Sequence, residues 1–206
     1  MAFENIKEIK SASITESSVY FLDANIWVYV MNSNLDLKNS DKGNPLYTKF
    51  FFDIIESQLK PRPRIILNSL LMSEIINTYL RKYAMPDYIY HTYTKKGEYP
   101  PANFEYKTNY RPTDHFKTNY KLILDEIKNY HESILLVDDE FSSMKPFQFG
   151  KNCPANMDFN DYYYFLLACN LNKKYKPFAF VTNDGDFGVT NFDIYSSAKA
   201  LLDLKK

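Results

Sequence analysis

Short apolar runs alternate along this chain with longer segments of helical periodicity, and that alternation limits the folds open to it more than any other feature. Residues 19–23, 64–68, 134–138, 178–182 and 192–195 are apolar and bounded by polar residues, as strands buried on both faces must be. Residues 45–60 carry Leu46, Phe50, Ile54 and Leu59 at helical spacing before Pro61 stops them. Helices are likewise expected over 70–83, ending before Pro86, and over 116–130, 161–175 and 197–204. Strands that hide both faces need helices on both sides. The expected fold is therefore α/β: a three-layer α/β/α sandwich with a mainly parallel central sheet of about five strands. Right-handed crossovers then bring the C-terminal ends of the strands to one edge, where ligands bind.

Residues 84–115 break this rhythm. They are rich in Tyr, Lys, Pro and Asn, lack apolar runs and exceed an ordinary connection. The 206 residues are thus expected to form a single domain, 1–206, with 84–115 as a Tyr/Lys-rich insertion within it. A short echo, Tyr106–Tyr110 and Phe116–Tyr120, is too brief to define a repeat. Lys+Arg and Asp+Glu both number 25, so no global positive field draws the chain to nucleic acid, and a polyanion would need a local patch or a metal ion. Cys153 and Cys169 form no CxxC motif and suit a reducing compartment. The first residues hold no apolar core of signal-peptide length, and no run could span a bilayer. A cytoplasmic protein is the expectation.

The acidic residues fall at informative places. Asp23 ends the first strand and Asp184 follows the fourth. Glu74 sits early in the helix after the second strand, and Asp158 and Asp161 open the helix before the fourth. In a parallel sheet all of these lie at one edge. Acids at helix N-termini alone are unremarkable, because the dipole favours them by roughly 0.3–1 kcal/mol. Strand-end acids converging with them place like charges together, which is costly unless a cation neutralises them. Oxygen-seeking Mg2+ or Mn2+ meets that need, keeps room for a substrate phosphate and can activate water against phosphorus. The chemistry this suggests is hydrolysis of a phosphate ester.

The series LDAN, MSEIIN, DFNDYYYFLLA and VTNDGDF, in this order and on these elements, resembles the PIN-domain nucleases, whose most familiar members are the VapC-type toxins of toxin–antitoxin pairs. The resemblance covers nearly the whole chain, including residues 133–139 and the final strand and helix. It implies a metal-dependent endoribonuclease in which Asp23, Glu74, Asp161 and Asp184 are the catalytic and metal-binding acids. Asp186 and Asp158 are then candidate outer ligands, with Asn25 and Thr182 in support. Ala168 stands where the family places a small residue against the sheet, and Gly185 and Gly188 fit a tight turn at the site. An RNA substrate leaving a 5′-phosphate, a cognate antitoxin protein and a homodimer are the partners it implies. Two departures bear on substrate choice: the insertion, and Tyr162, Tyr163 and Tyr164 in place of smaller residues.

Other readings stand beside these. Asp158 could instead cap its helix, and Asp138 and Asp139 read as loop or cap residues. In the insertion, Lys95, Lys96, Lys107 and Arg111 with Tyr106 and Tyr110 could grip RNA through phosphates and stacked bases. Equally, its tyrosines could glue the loop to the domain or to a partner. His91, His115 and His131 are isolated in sequence and read as surface residues. A binding module that keeps the acids without catalysis, a nuclease acting on DNA and a phosphatase are the rival functions. GxSxG, GxGxxG and Walker-type loops do not occur, which argues against serine hydrolase, dinucleotide and NTPase chemistry.

Overall fold

The computed structural model of the protein describes residues 5–16, 18–34, 45–145, 147, 149–187 and 190–204. Among the described residues the sheet has six strands in the order β1-β6-β5-β2-β3-β4. These are β1 (Ile6–Glu8), β2 (Val19–Leu22), β3 (Arg64–Leu67), β4 (Ile134–Leu136), β5 (Phe178–Val181) and β6 (Asp193–Ser196), every neighbouring pair parallel. The sheet is thus wholly parallel, and its strands number six where about five are expected. The added strand is β1, an edge strand on β6 with Ile6 opposite Ile194. Only Ile6 of its three residues is buried, so no apolar run announces it.

Helices α1 (Ala24–Asn34), α2 (Pro45–Ile55), α3 (Ser69–Tyr79), α4 (Met85–Thr92), α5 (Asp114–Asn129), α6 (Phe149–Asn152), α7 (Phe159–Lys174) and α8 (Lys199–Asp203) surround the sheet. All residues of β2 and β5 are buried, so the central strands are covered on both faces. Tyr20 meets Phe50 of α2 edge-on at 5.3 Å, and its neighbour Phe21 meets Tyr164 of α7 at 5.6 Å. Successive strand residues face opposite ways, so α2 and α7 lie on opposite sides of the sheet. Three layers result. Trp27 of α1 packs on Phe51 of α2 at 5.2 Å and is fully buried. Among the described residues no helix is long and apolar enough to cross a membrane.

Two helix ends differ from expectation. Helix α2 stops at Ile55, not near Lys60, and Ser57 then turns the chain by accepting the Leu59 N–H at 3.3 Å. Helix α3 does not end before Pro86. It passes through a wide turn, Leu80–Ala84, straight into α4, with the Met85 N–H reaching back to the Leu80 carbonyl. A proline inside a regular α-helix lacks its donor and clashes with the carbonyl four residues back. Widening the turn just ahead of Pro86 relieves that clash, so the helix continues.

The continuation carries the insertion. Tyr110 is fully buried, with the rings of Tyr88 and Phe116 at 5.6 and 5.5 Å and its hydroxyl 3.0 Å from His115 Nδ1. Tyr88 also meets Phe104 at 6.2 Å, and Tyr106 meets Phe116 at 6.0 Å. Tyr88, Tyr106 and Tyr110 thus pack this segment together, while Tyr99 stays exposed. Tyr110 is a core residue whose ring a nucleobase cannot reach, which corrects its assignment to RNA binding. His91 is exposed as expected and His115 half-buried, with Asp87 3.5 Å from the first and 3.4 Å from the second. The echoed segments differ in form, the first being a single wide turn, Tyr106–Tyr110, and the second lying within α5.

Candidate functional site

The strand order reverses between β2 and β5. From β2 the chain steps to β3 and then β4, whereas from β5 it steps the other way to β6. Parallel sheets open their ligand crevice at such a reversal. Asp23 follows β2, and its N–H donates to the Val181 carbonyl at 2.9 Å, pinning it against the end of β5. Asp184 and Asp186 lie in the loop beyond β5. Asn68 caps α3 by accepting the Leu71 N–H at 2.8 Å, which fixes the helix that carries Glu74. Asp158 caps α7 by accepting the Asp161 N–H at 2.9 Å, which brings Asp161 into its first turn.

These segments converge. Single carboxylate oxygens of Asp161, Asp184 and Asp186 lie within 4.8 Å of one another. Asp23 lies deeper, only 8% exposed. Burial first, and then the charge of Glu74, raise its carboxyl to about 7, with Asp161 adding a smaller push. Asp161 is itself raised to about 6, first by burial and then by Asp158, Asp184 and Asp186. The Asp23 carboxyl thus feels both Glu74 and Asp161. Among the described residues none of these five acids is paired with a lysine, arginine or histidine. An all-carboxylate set with unrelieved repulsion suits a hard, oxygen-seeking divalent cation and does not suit a soft-metal thiolate site.

Neighbouring polar groups hold the acids in place. The fully buried Thr182 hydroxyl accepts the Asp184 N–H at 2.9 Å and donates to Asp23 Oδ2 at 3.2 Å, linking two acids through one side chain. Asp184 Oδ1 in turn accepts the Asp186 N–H at 3.1 Å. The buried Tyr164 hydroxyl donates to Glu74 Oε2 at 2.6 Å, and burial, with the Glu74 charge beside it, pushes that phenol far up. Tyr163 donates to the Asp139 carbonyl at 2.6 Å and accepts from Asn68 at 3.1 Å. Tyr47, wholly buried in α2, donates to the Thr182 carbonyl at 3.0 Å and accepts the Ser197 N–H at 2.7 Å. It ties the acid loop to the segment after β6.

The expected site residues therefore fall out as follows. Asp161, Asp184 and Asp186 come together, Asp23 is linked to Asp184 through Thr182, and Glu74 is near enough for its charge to act on Asp23. Asp158 is exposed and acts as the α7 cap, although its charge still bears on Asp161. Asn25 is half-buried in the first turn of α1. Asp139 caps α3 through Ser69 and the Leu70 N–H, and Asp138 is exposed. Ala168 is fully buried. Gly185 has a physical reason: a Cβ there would meet the Ala200 Cβ at 3.1 Å, so α8 can approach the acid loop only if the residue is small. Gly188 lies outside the described residues. Lys95, Lys96, Lys107 and Arg111 are exposed on the insertion, and half-buried Tyr106 lies under the Arg81 guanidinium, 4.5 Å from its ring. Tyr164 and Tyr47 are the positioning residues that sequence reading misses. A tyrosine three residues past Asp161 on the same helix is a signal for the first, while nothing local marks the second.

Compared with known proteins, the chain matches no family model, no curated protein and no solved structure, so the function must be argued from the site itself.

Proposed function

We propose that the protein is a metal-dependent nuclease that hydrolyses RNA phosphodiester bonds. One observation carries this reading: Asp161, Asp184 and Asp186 bring single oxygens within 4.8 Å of one another near buried Asp23, on which Glu74 and Asp161 both act, and among the described residues none of these acids is paired with a lysine, arginine or histidine. The resemblance of the sequence to PIN-domain nucleases supports it. Asp23, Glu74, Asp161 and Asp184, with Asp186 beside them, would hold one or two Mg2+ or Mn2+ ions. When bound, such ions supply Lewis acidity toward phosphate and lower the pKa of water. The chain's own contribution is placement. Thr182 anchors one oxygen of Asp23 and Tyr164 anchors one oxygen of Glu74, so neither carboxylate can rotate freely. Burial of Asp23 keeps bulk water from screening the charges that meet the phosphate. The expected products carry a 5′-phosphate and a 3′-hydroxyl.

The test is cleavage of a mixed-sequence single-stranded RNA with Mg2+, with Mn2+ and with EDTA, beside single-stranded DNA and a chromogenic phosphomonoester. Divalent-dependent cutting of RNA is expected. Cutting unaffected by EDTA would refute the reading. RNA binding without any cleavage would assign the acids to a binding module instead.

A further inference from the structure

Helix α3 and the wide turn after it present a single polar stripe: Glu74, Asn77, Thr78, Arg81 and Lys82. The spacing i, i+3, i+4, i+7, i+8 puts them on one face. With Ser73 and Asn160 they line an open groove of about 450 Å³ that holds Glu74 in its wall and reaches Arg81 and Lys82. A second groove of about 380 Å³ shares Ser73 and Asn77 and is bordered by Tyr106 and Arg111. Arg81 lies over the Tyr106 ring at 4.5 Å, and Arg111 lies near enough to lower the Tyr106 hydroxyl pKa, against the larger effect of burial. Arg81, Lys82 and Arg111 are exposed, and among the described residues none of them has an acidic partner.

We propose that this stripe is the path of a single-stranded RNA to the carboxylates, with Arg81 and Lys82 as its phosphate clamps and Arg111 bordering the exit. The proposal rests on the nuclease reading for its substrate. At ~1.5 Å per residue, Arg81 and Lys82 stand ~10–12 Å along the helix from Glu74, which is a span of a few nucleotides from a phosphate held at the acids. A guanidinium stacked on a ring keeps its N–H donors pointing outward in its own plane, so Tyr106 steadies Arg81 without using up its donors. The Asn77 amide nitrogen donates to the Ser73 carbonyl at 2.8 Å and to the Ser73 hydroxyl at 3.3 Å, so what Asn77 offers a strand is its carbonyl oxygen, an acceptor for a ribose 2′-hydroxyl. An acidic peptide would satisfy the cations as well. It would gain nothing from Glu74 in the wall of the groove, whereas a nucleic acid strand, on the nuclease reading, has its next phosphate at the acids.

The test is binding of a fluorescein-labelled single-stranded RNA of ~20 nucleotides, by anisotropy in EDTA over a salt series. Removing one cation that neutralises a phosphate should reduce the slope of log affinity against log salt by ~0.7. The double variant Arg81→Gln/Lys82→Gln should therefore lose ~1.4 in slope and bind ~10- to 30-fold more weakly at 0.1 M salt. Lys82→Gln alone, which disturbs no ring contact, should lose about half of that slope. Arg81→Lys, which keeps the charge, should stay near the parent slope. Lys128→Gln, at the far end of α5, serves as the control for a bare change of net charge and should match the parent. Parent-like slope and affinity in the double and Lys82 variants would overturn the path, and so would a parent protein that shows no salt-dependent RNA binding. Displacement of the strand by poly-glutamate as readily as by unlabelled RNA would also overturn it, in favour of an acidic protein partner. Metal-dependent cleavage beside unchanged binding in the variants would defeat the path alone, whereas weakened binding in the variants of a parent that never cuts would defeat the nuclease reading alone.

Discussion

Replacing Asp23 by Asn should make the metal-free protein more stable while ending its cleavage of RNA. In the folded chain this carboxyl is raised from 3.8 to about 7 by burial and by Glu74. The fold therefore binds the Asp23 proton more tightly than the unfolded chain does. Its contribution to stability is full below pH 3.8 and is lost as pH rises through about 7. At pH 8 the ionised side chain costs the fold ~4 kcal/mol relative to an unperturbed carboxyl. Asn keeps the size and an oxygen that can accept from Thr182, so part of that cost is recovered. Allowing for imperfect pairing of the new amide, a net gain of ~2 kcal/mol is expected, or a melting temperature ~4–8 °C higher for a chain of this length. The assay is thermal unfolding by circular dichroism in EDTA at pH 8 and pH 5. At pH 5 the parent carboxyl is largely protonated in the fold, so the gain should fall by more than half. A D23N variant less stable than the parent at pH 8, or a difference that does not change with pH, would refute the claim that this charge is held against repulsion. A D23N variant that still cuts RNA at the parent rate would refute the site assignment.

Three further outcomes are expected. Mg2+ or Mn2+ at ~100 times its dissociation constant should add ~2.7 kcal/mol, or ~5–10 °C in melting temperature, to the parent and much less to D23N; absence of any shift with either ion would count against a metal centre. Tyr164→Phe removes the donor to Glu74 and should cost ~1–2 kcal/mol in urea unfolding together with a loss of cleavage of ~10- to 100-fold, whereas unchanged cleavage would remove Tyr164 from the positioning shell. Tyr110→Ala should cost ~3–5 kcal/mol, while Tyr99→Ala, at a ring 93% exposed, should stay within ~0.5 kcal/mol by the same measurement. Equal effects of the two would contradict the aromatic core described for the insertion.

Much of this arrangement is legible without coordinates because burial writes itself into composition. Strands covered on both faces must be apolar throughout, so β2, β3 and β5 show as runs. The acids that end them show because an apolar run makes its polar boundary conspicuous. Strand β1 is not legible, since an edge strand of three residues needs only Ile6 inside. Helix α1 is missed for the opposite reason: Ile26, Trp27, Val28, Val30 and Met31 are all buried, and a helix surrounded by protein loses the one-sided pattern that marks it. The passage of α3 beyond Tyr83 is hidden because proline ordinarily ends a helix and the wide turn that rescues it has no sequence signature. Tyrosine carries both an apolar ring and a polar tip, so whether Tyr110 faces the core or a ligand depends on packing that only the fold supplies. Asp186 joins the outer acids more closely than Asp23 does, because the loop after β5 folds back on Asp184 through the Asp186 N–H.

The hidden helical passage matters most for function, because it separates opposite charges on one face. Glu74 followed by a cation three or four residues on would neutralise itself as an ordinary surface pair. Here those positions are Asn77 and Thr78, and the cations come only at Arg81 and Lys82. The gap of ~10 Å is comparable to the screening length at 0.1 M salt, so the two ends of the stripe hardly attenuate each other. On the proposed reading, a chain of zero net charge would thereby offer one end to a cation and the other to an anion. The separation survives only if the helix neither bends nor unwinds between them. The buried cluster around Tyr110 packs on the continuation of that helix, and Tyr106 lies directly beneath Arg81. Under the proposed path, residues 84–115 would serve the strand by fixing the helix that carries Arg81 and Lys82, and their own exposed lysines, Lys95 and Lys96, line neither groove.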